Sequence, residues 1–122
     1  MQDKRILVID DNPELVQLVE CIFGAAGATV EGALSGWEGL RRFRACRPDL
    51  VVLDVMMPDM SGWEVCSCLR TESDVPIIML TALAKSQDIS QAFDRGATVY
   101  ITKPFSPKVL LARAEALLQH AA

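Results

Sequence analysis

Four short apolar runs in this chain each end in residues able to bind a cation or an anion. Asp10-Asp11 follow RILVI, Asp54 follows LVVL, Thr81 follows IIML and Lys103 follows VYIT. If these runs are parallel strands, three carboxylates, a hydroxyl and an ammonium share one edge of a sheet. Two carboxylates about 4 Å apart repel by roughly 4 kcal/mol at an effective dielectric near 20. Such a cluster needs a cation, shared protons or a nearby lysine. A hard divalent ion with oxygen ligands meets that need, and Lys103 offsets part of the charge. The competing reading is a set of solvated loop acids with a surface lysine. The placement of all five residues at the ends of strands one, three, four and five favours the cluster.

The elements that must position these residues alternate in type. Arg5–Ile9, Leu50–Leu53, Ile77–Leu80 and Val99–Thr102 are strand-length apolar runs, and Thr29–Ala33 is a weaker one. Between them lie amphipathic segments with helix signals. Asn12-Pro13-Glu14 offers an N-cap, a proline for the first turn and an acid near the positive helix end. Leu15, Leu18, Val19 and Ile22 then give an apolar face, and Gly27 a stop. Ser35-Gly36-Trp37-Glu38 fits a capping box opening a helix to about Cys46. Further helices are expected over Gly62–Arg70, over Ser86–Arg95 with Gly96 as stop, and from Ser106-Pro107 to about Gln119. Five βα units with near-continuous apolar strands imply a parallel sheet covered on both faces. The expected fold is a doubly wound α/β sandwich of five strands and five helices. Ligands in such sheets sit at the carboxyl ends of the strands.

Composition excludes several classes. The chain is 51% hydrophobic and 23% charged, which suits a folded domain rather than a disordered one. Lysine and arginine number 12 against 16 acids, a net charge of −4, so direct nucleic-acid binding is not expected. No run has membrane-spanning length, and MQDKRILVID lacks a signal-peptide core; a cytoplasmic location is expected. Cys21, Cys46, Cys66 and Cys68 read as reduced packing residues, since Cys66-Ser67-Cys68 has neither redox nor zinc spacing. His120 is the lone histidine, which argues against a histidine metal site. Trp37, Trp63 and the Met56-Met57 and Met60 group read as packing or surface-edge residues.

The pieces ILVIDDNPE, LVVLDVMMPDMSGWEVC, PIIMLTA and GATVYITKPF, in that order, resemble the response-regulator receiver family, the CheY-like signalling domains. The resemblance spans essentially the whole chain, 1–122, as one receiver domain, and implies a flavodoxin-like sheet with its five strands in the order 2-1-3-4-5. It implies a two-component signalling switch rather than a turnover enzyme. Asp54 would be the phosphoacceptor, taking a phosphoryl group from a histidine kinase or phosphotransfer protein. Mg²⁺ would be held by Asp11, Asp54 and the Met56 backbone carbonyl, with Asp10 acting through water. Thr81 would hydrogen-bond the phosphoryl group, and Lys103 would pair with Asp54 before phosphorylation and with the phosphoryl group afterwards. Tyr100 would be the switch aromatic, turning inward as Thr81 moves. A cis Lys103–Pro104 bond is implied, and the small Ala82 would leave the site open.

KPFSP and MMPDMSGWEVC resemble receivers that precede winged-helix DNA-binding domains. Those receivers pair through the fourth helix, fifth strand and fifth helix by salt bridges. Here Thr98-Val99 replace the usual acidic pair, and Ile89 and Val109 stand where charges are usual, while Arg113 remains. The expectation is an output face that binds another partner or forms a more apolar homodimer. Two other readings compete: a phosphorylation-independent pseudo-receiver serving as a binding module, and a haloacid-dehalogenase-like phosphatase. The five retained site residues oppose the first. The adjacent Asp10-Asp11, in place of an Asp-x-Asp pattern, opposes the second.

Overall fold

The computed structural model describes residues 1–120. Ten elements alternate: β1 (Arg5–Ile9), α1 (Pro13–Ala25), β2 (Thr29–Ala33), α2 (Gly36–Cys46), β3 (Leu50–Leu53), α3 (Gly62–Arg70), β4 (Ile77–Thr81), α4 (Ser86–Asp94), β5 (Val99–Thr102) and α5 (Pro107–His120). All strand pairs are parallel, in the order β2-β1-β3-β4-β5. The doubly wound arrangement expected from the sequence is therefore present.

Side-chain alternation along the strands divides the core into two layers. Leu7, Ile9, Val51, Leu53, Ile77 and Met79 face α2, α3 and α4 and pack with Leu40, Phe43, Val65 and Leu69. Ile6, Val8, Val52, Ile78, Leu80 and Ile101 face α1 and α5 and pack with Val19, Phe23, Leu110 and Ala114. The central strands β3 and β4 are buried along their whole length, as sheets covered on both faces require. The edge strand β2 is mostly half-exposed, which explains its polar TVEGA sequence. From β1 the chain winds first to β2 and then back to β3, so the crevice of this topology opens at the carboxyl ends of β1 and β3.

Caps set most boundaries. Asn12 Oδ1 accepts from Glu14 N–H at 3.0 Å, Ser35 Oγ from Glu38 N–H at 3.2 Å and Ser61 Oγ from Glu64 N–H at 3.2 Å. Three details differ from the sequence reading. β4 extends one residue, through Thr81, because Thr81 pairs with Thr102 of β5. α4 stops at Asp94, with Arg95 as its cap and Gly96 at a φ of 107°. The return bond of the capping box goes to Leu34 N–H, not to that of Ser35: Glu38 Oε1 accepts it at 2.9 Å. The four cysteines are free, but Cys21 is exposed and so is not a packing residue. The His120 side chain lies outside the described part. Among the described residues, no helix is long and apolar enough to cross a membrane.

Gly62 begins α3 where it packs on the backbone of the residues ending β3. A Cβ there would press on the Asp54 carbonyl oxygen and lie 2.7 Å from Val55 Cα. Backbone cannot yield as a flexible side chain does. Gly62→Ala should therefore cost more than about 2 kcal/mol in urea unfolding. Gly24, inside α1 with nothing within 4 Å of its virtual Cβ, is the opposite case. Gly24→Ala should stabilise by about 0.5–1 kcal/mol in the same assay.

Candidate functional site

The carboxyl edge of the sheet brings Asp10, Asp11 and Asp54 together. One oxygen from each lies within 4.8 Å of the others. Asp10 and Asp54 are buried, at 2% and 6% exposure, while Asp11 is exposed. The ladder continues past the strands to hold them: Asp10 N–H donates to Ala33 O at 3.1 Å and Asp54 N–H to Ile9 O at 3.0 Å. Lys103, at the end of β5, reaches across to both buried acids. Its Nζ lies 2.9 Å from Asp10 Oδ2 and 3.2 Å from Asp54 Oδ2. The remaining oxygens turn to backbone two residues on, an Asx-turn arrangement. Asp10 Oδ1 accepts from Asn12 N–H at 3.0 Å, and Asp54 Oδ1 from Met56 N–H at 3.3 Å.

The electrostatics follow from one ammonium serving two buried carboxylates. Burial pushes the Asp10 carboxyl above its usual value and the Asp54 charge adds to this; the Lys103 and Asn12 donors offset it only in part. Burial alone would lower the Lys103 ammonium. The Asp10 hydrogen bond and the charges of Asp10 and Asp54 outweigh that and hold it above its usual value. With three carboxylates gathered around one ammonium, the cluster carries more negative charge than its lysine neutralises. Carboxylate oxygens in that state suit a hard divalent cation.

Thr81 is fully buried at the end of β4, and its Oγ1 accepts a long 3.4 Å bond from Leu83 N–H. The Lys103 N–H donates to Thr81 O at 2.8 Å, tying the ends of β4 and β5. The Lys103–Pro104 bond is cis. Tyr100 is half-buried, and its hydroxyl donates to Leu83 O at 2.7 Å. Burial raises its phenol above the usual value, with the charges of Asp88 and Asp54 adding to the effect. Beside Asp11 lies an open cleft of about 600 Å³ walled by Val55, Met56, Met57, Trp63 and Leu83.

The structure thus joins Asp10, Asp11, Asp54 and Lys103 directly, with Thr81 on the neighbouring strand end. Sequence reasoning missed three contacts. The nearer partner of Lys103 is Asp10, not Asp54. The Leu83 carbonyl is the acceptor for Tyr100. Asp59 of the β3–α3 loop reaches the start of α2, where it accepts from Gly36 N–H and Trp37 N–H. No local pattern signals such a bond, because its partners are far apart in the chain.

The model of the response regulator receiver domain matches residues 6–115. The chain belongs to the response regulator receiver family. Among curated relatives, this receiver is 48% identical over 119 residues to the "Probable transcriptional regulator ycf27" of Porphyridium aerugineum, covering 98% of this chain and 50% of that one. It is 44% identical to the "DNA-binding dual master transcriptional regulator RpaA" of Synechocystis sp., covering 94% and 49%. The chain therefore spans about half the length of the curated relatives it matches. Among solved structures, a CheY-like receiver domain protein from Methanospirillum hungatei superposes with a TM-score of 0.92 at 29% identity, over 97% of this chain and 95% of that one. The BeF3-activated DrrB receiver domain superposes at 0.89 with 36% identity, over 98% and 100%.

Removing the lysine tests the charge balance of this site. In chelator at neutral pH, Lys103→Ala should lose about 3 kcal/mol of unfolding free energy, since two buried carboxylates lose their cation. Adding Asp10→Asn should restore part of it. The folded pKa of Lys103 stands above its unfolded value of 10.5. Its stabilisation is then complete below pH 10.5 and is lost as pH climbs through the raised value. Urea titrations across that alkaline window should show a falling limb that Asp10→Asn flattens.

Proposed function

We propose that Asp54 accepts a phosphoryl group from a phosphohistidine on a histidine kinase or phosphotransfer protein, in a Mg²⁺-dependent reaction. The convergence of buried Asp54 with Asp10, Asp11 and Lys103 is the observation that carries this reading. An Asp54 carboxylate oxygen forms the new bond to phosphorus as the bond from phosphorus to the imidazole nitrogen breaks. The imidazole leaves and takes up a proton. Phosphoryl transfer demands mostly positioning and charge neutralisation, and the residues here fit both demands.

Asp11, Asp54 and the Met56 carbonyl would hold Mg²⁺. Asp10, the most deeply buried of the three acids, would act through water. Bound Mg²⁺ would neutralise charge on the transferring phosphoryl oxygens. Lys103 binds an equatorial phosphoryl oxygen, and its bond to Asp54 supports that role. Thr81 donates its hydroxyl to the phosphoryl group, turning away from Leu83. Because Tyr100 is bonded to Leu83 O, movement at Thr81 passes through Leu83 to Tyr100 and the start of α4. The receiver itself turns over no substrate in this reading.

The α4–β5–α5 face is the output surface. Phe93 and Val109 stand 46% and 48% exposed there, and Ile89 is half-buried. Its contact with a partner or a second copy is accordingly apolar in character. The DNA-binding description of the Synechocystis relative supports a transcriptional output for a longer protein carrying this receiver.

Acetyl phosphate with Mg²⁺, then borohydride trapping and mass spectrometry, should place the adduct on Asp54. Asp54→Ala or chelation should abolish it; labelling that survives either defeats the proposal. Ultracentrifugation with beryllofluoride should show self-association that is insensitive to salt or absent. A steeply salt-weakened dimer would mean that charge, not apolar contact, governs this face.

A further inference from the structure

Asp59 sits in the β3–α3 loop, between Met56 and the start of α3. We propose that it is a positioning residue for the cation site, clamping the loop that carries the Met56 carbonyl onto the N-terminus of α2. The inference rests on the Mg²⁺ reading above.

The first N–H groups of a helix have no partner within it. In α2, Ser35 satisfies that of Glu38. Asp59 satisfies the two before it: Oδ1 accepts from Gly36 N–H at 3.1 Å and Oδ2 from Trp37 N–H at 3.0 Å. A carboxylate is the favoured group at that end of a helix dipole. Its limited burial works to raise the Asp59 carboxyl, but the N–H donors of Trp37 and Gly36 outweigh this and hold it below its usual value. The surfaces are fitted to the contact. A Cβ on Gly36 would come within 2.9 Å of Met60 Cβ and 3.0 Å of Val65 Cγ2, so glycine allows the loop to lie against the helix.

The loop is also closed at its base, where Gly62 N–H donates to Val55 O at 2.8 Å. Met56, Met57 and Pro58 are thus held between two fixed points, the Val55–Gly62 bond and the Asp59 clamp. A side-chain ligand can be aimed by choosing a rotamer. A backbone carbonyl is aimed only by the loop it belongs to. The bond from Met56 N–H to Asp54 Oδ1 gives the loop one direct reference to the phosphoacceptor, and the clamp at Asp59 provides the other, from outside the site.

Magnesium is titrated into ¹⁵N-labelled protein prepared metal-free, following the Asp11, Asp54 and Met56 amides. The wild type is compared with Asp59→Ala, Asp59→Asn and Ser35→Ala. Ser35→Ala removes the other cap of α2 without touching the loop. Asp59→Ala should weaken Mg²⁺ binding about 10-fold, the scale on which groups that orient metal ligands act. Asp59→Asn, which keeps one acceptor oxygen without the charge and turns the other into a donor, should recover only part of this. Ser35→Ala should lower the thermal midpoint and leave Mg²⁺ affinity unchanged. In the metal-free protein, Asp59→Ala should also speed hydrogen exchange of the Met56 amide. Wild-type Mg²⁺ affinity in Asp59→Ala overturns the inference and leaves the metal reading standing. Equal Mg²⁺ losses in Asp59→Ala and Asp59→Asn, with the Met56 amide exchanging at the wild-type rate in both, assign the effect to charge and overturn it. Equal losses in Asp59→Ala and Ser35→Ala assign it to helix stability and overturn it as well. A wild type that binds no Mg²⁺ brings down the metal reading and the inference together.

Discussion

The ammonium of Lys103 lies between Asp10 and Asp54, 2.9 and 3.2 Å from their nearer oxygens. Taking two carboxylates out of water is costly unless charge and hydrogen bonds replace what the solvent supplied. One lysine and two backbone N–H groups replace part of it, and the exposed Asp11 adds a third negative charge beside them. The parallel sheet makes the arrangement possible. Strands running in one direction deliver their terminal residues to one edge, and β1, β3 and β5 deliver two acids and their counterion there. A site so composed is stable enough to fold and still attractive to a further cation.

Much of the remaining structure can be understood as holding that edge still on one side and leaving it yielding on the other. On the α2 and α3 side, caps and close glycine contacts fix the loop after Asp54. On the α4 side the anchoring is uneven. Arg70 of α3 donates to Gly96 O at 2.9 Å, and Cys66 Sγ donates to Arg95 O at 3.4 Å. These bonds secure the turn after α4. Its start has no side-chain cap at Lys85, and Ala92 is the buried residue of the helix. An element held at one end, with little apolar area buried, belongs to the less stable part of a fold. The Tyr100 bond to Leu83 O lies just ahead of that looser end. This asymmetry supports the output reading better than the identity of any one exposed residue.

The strands and most helix starts were legible because their causes are local. ILVI, LVVL and IIML are apolar without interruption because β1 beyond Arg5, β3 and β4 are covered on both faces. Asn12, Ser35 and Ser61 stand beside the N–H groups they cap. The boundaries that shifted had non-local causes. Thr81 joined β4 through pairing with Thr102, and Glu38 turned to Leu34 rather than to Ser35. Cys21 looked like a packing residue by type, but its place on α1 leaves it in solvent.

From the residues alone, the order of elements, the parallel sheet and the gathering of Asp10, Asp11, Asp54, Thr81 and Lys103 at one edge could be determined. Each depends on periodicity or on position relative to a strand end, and those repeat within a few residues. Tertiary structure alone decided which oxygen meets which donor. Lys103 lies closer to Asp10 than to Asp54, Tyr100 bonds to Leu83, and Asp59 caps a helix that precedes it in the chain. Hydrogen bonds form or fail over a few tenths of an ångström. That separation is set by how the layers pack, which no short stretch of sequence encodes.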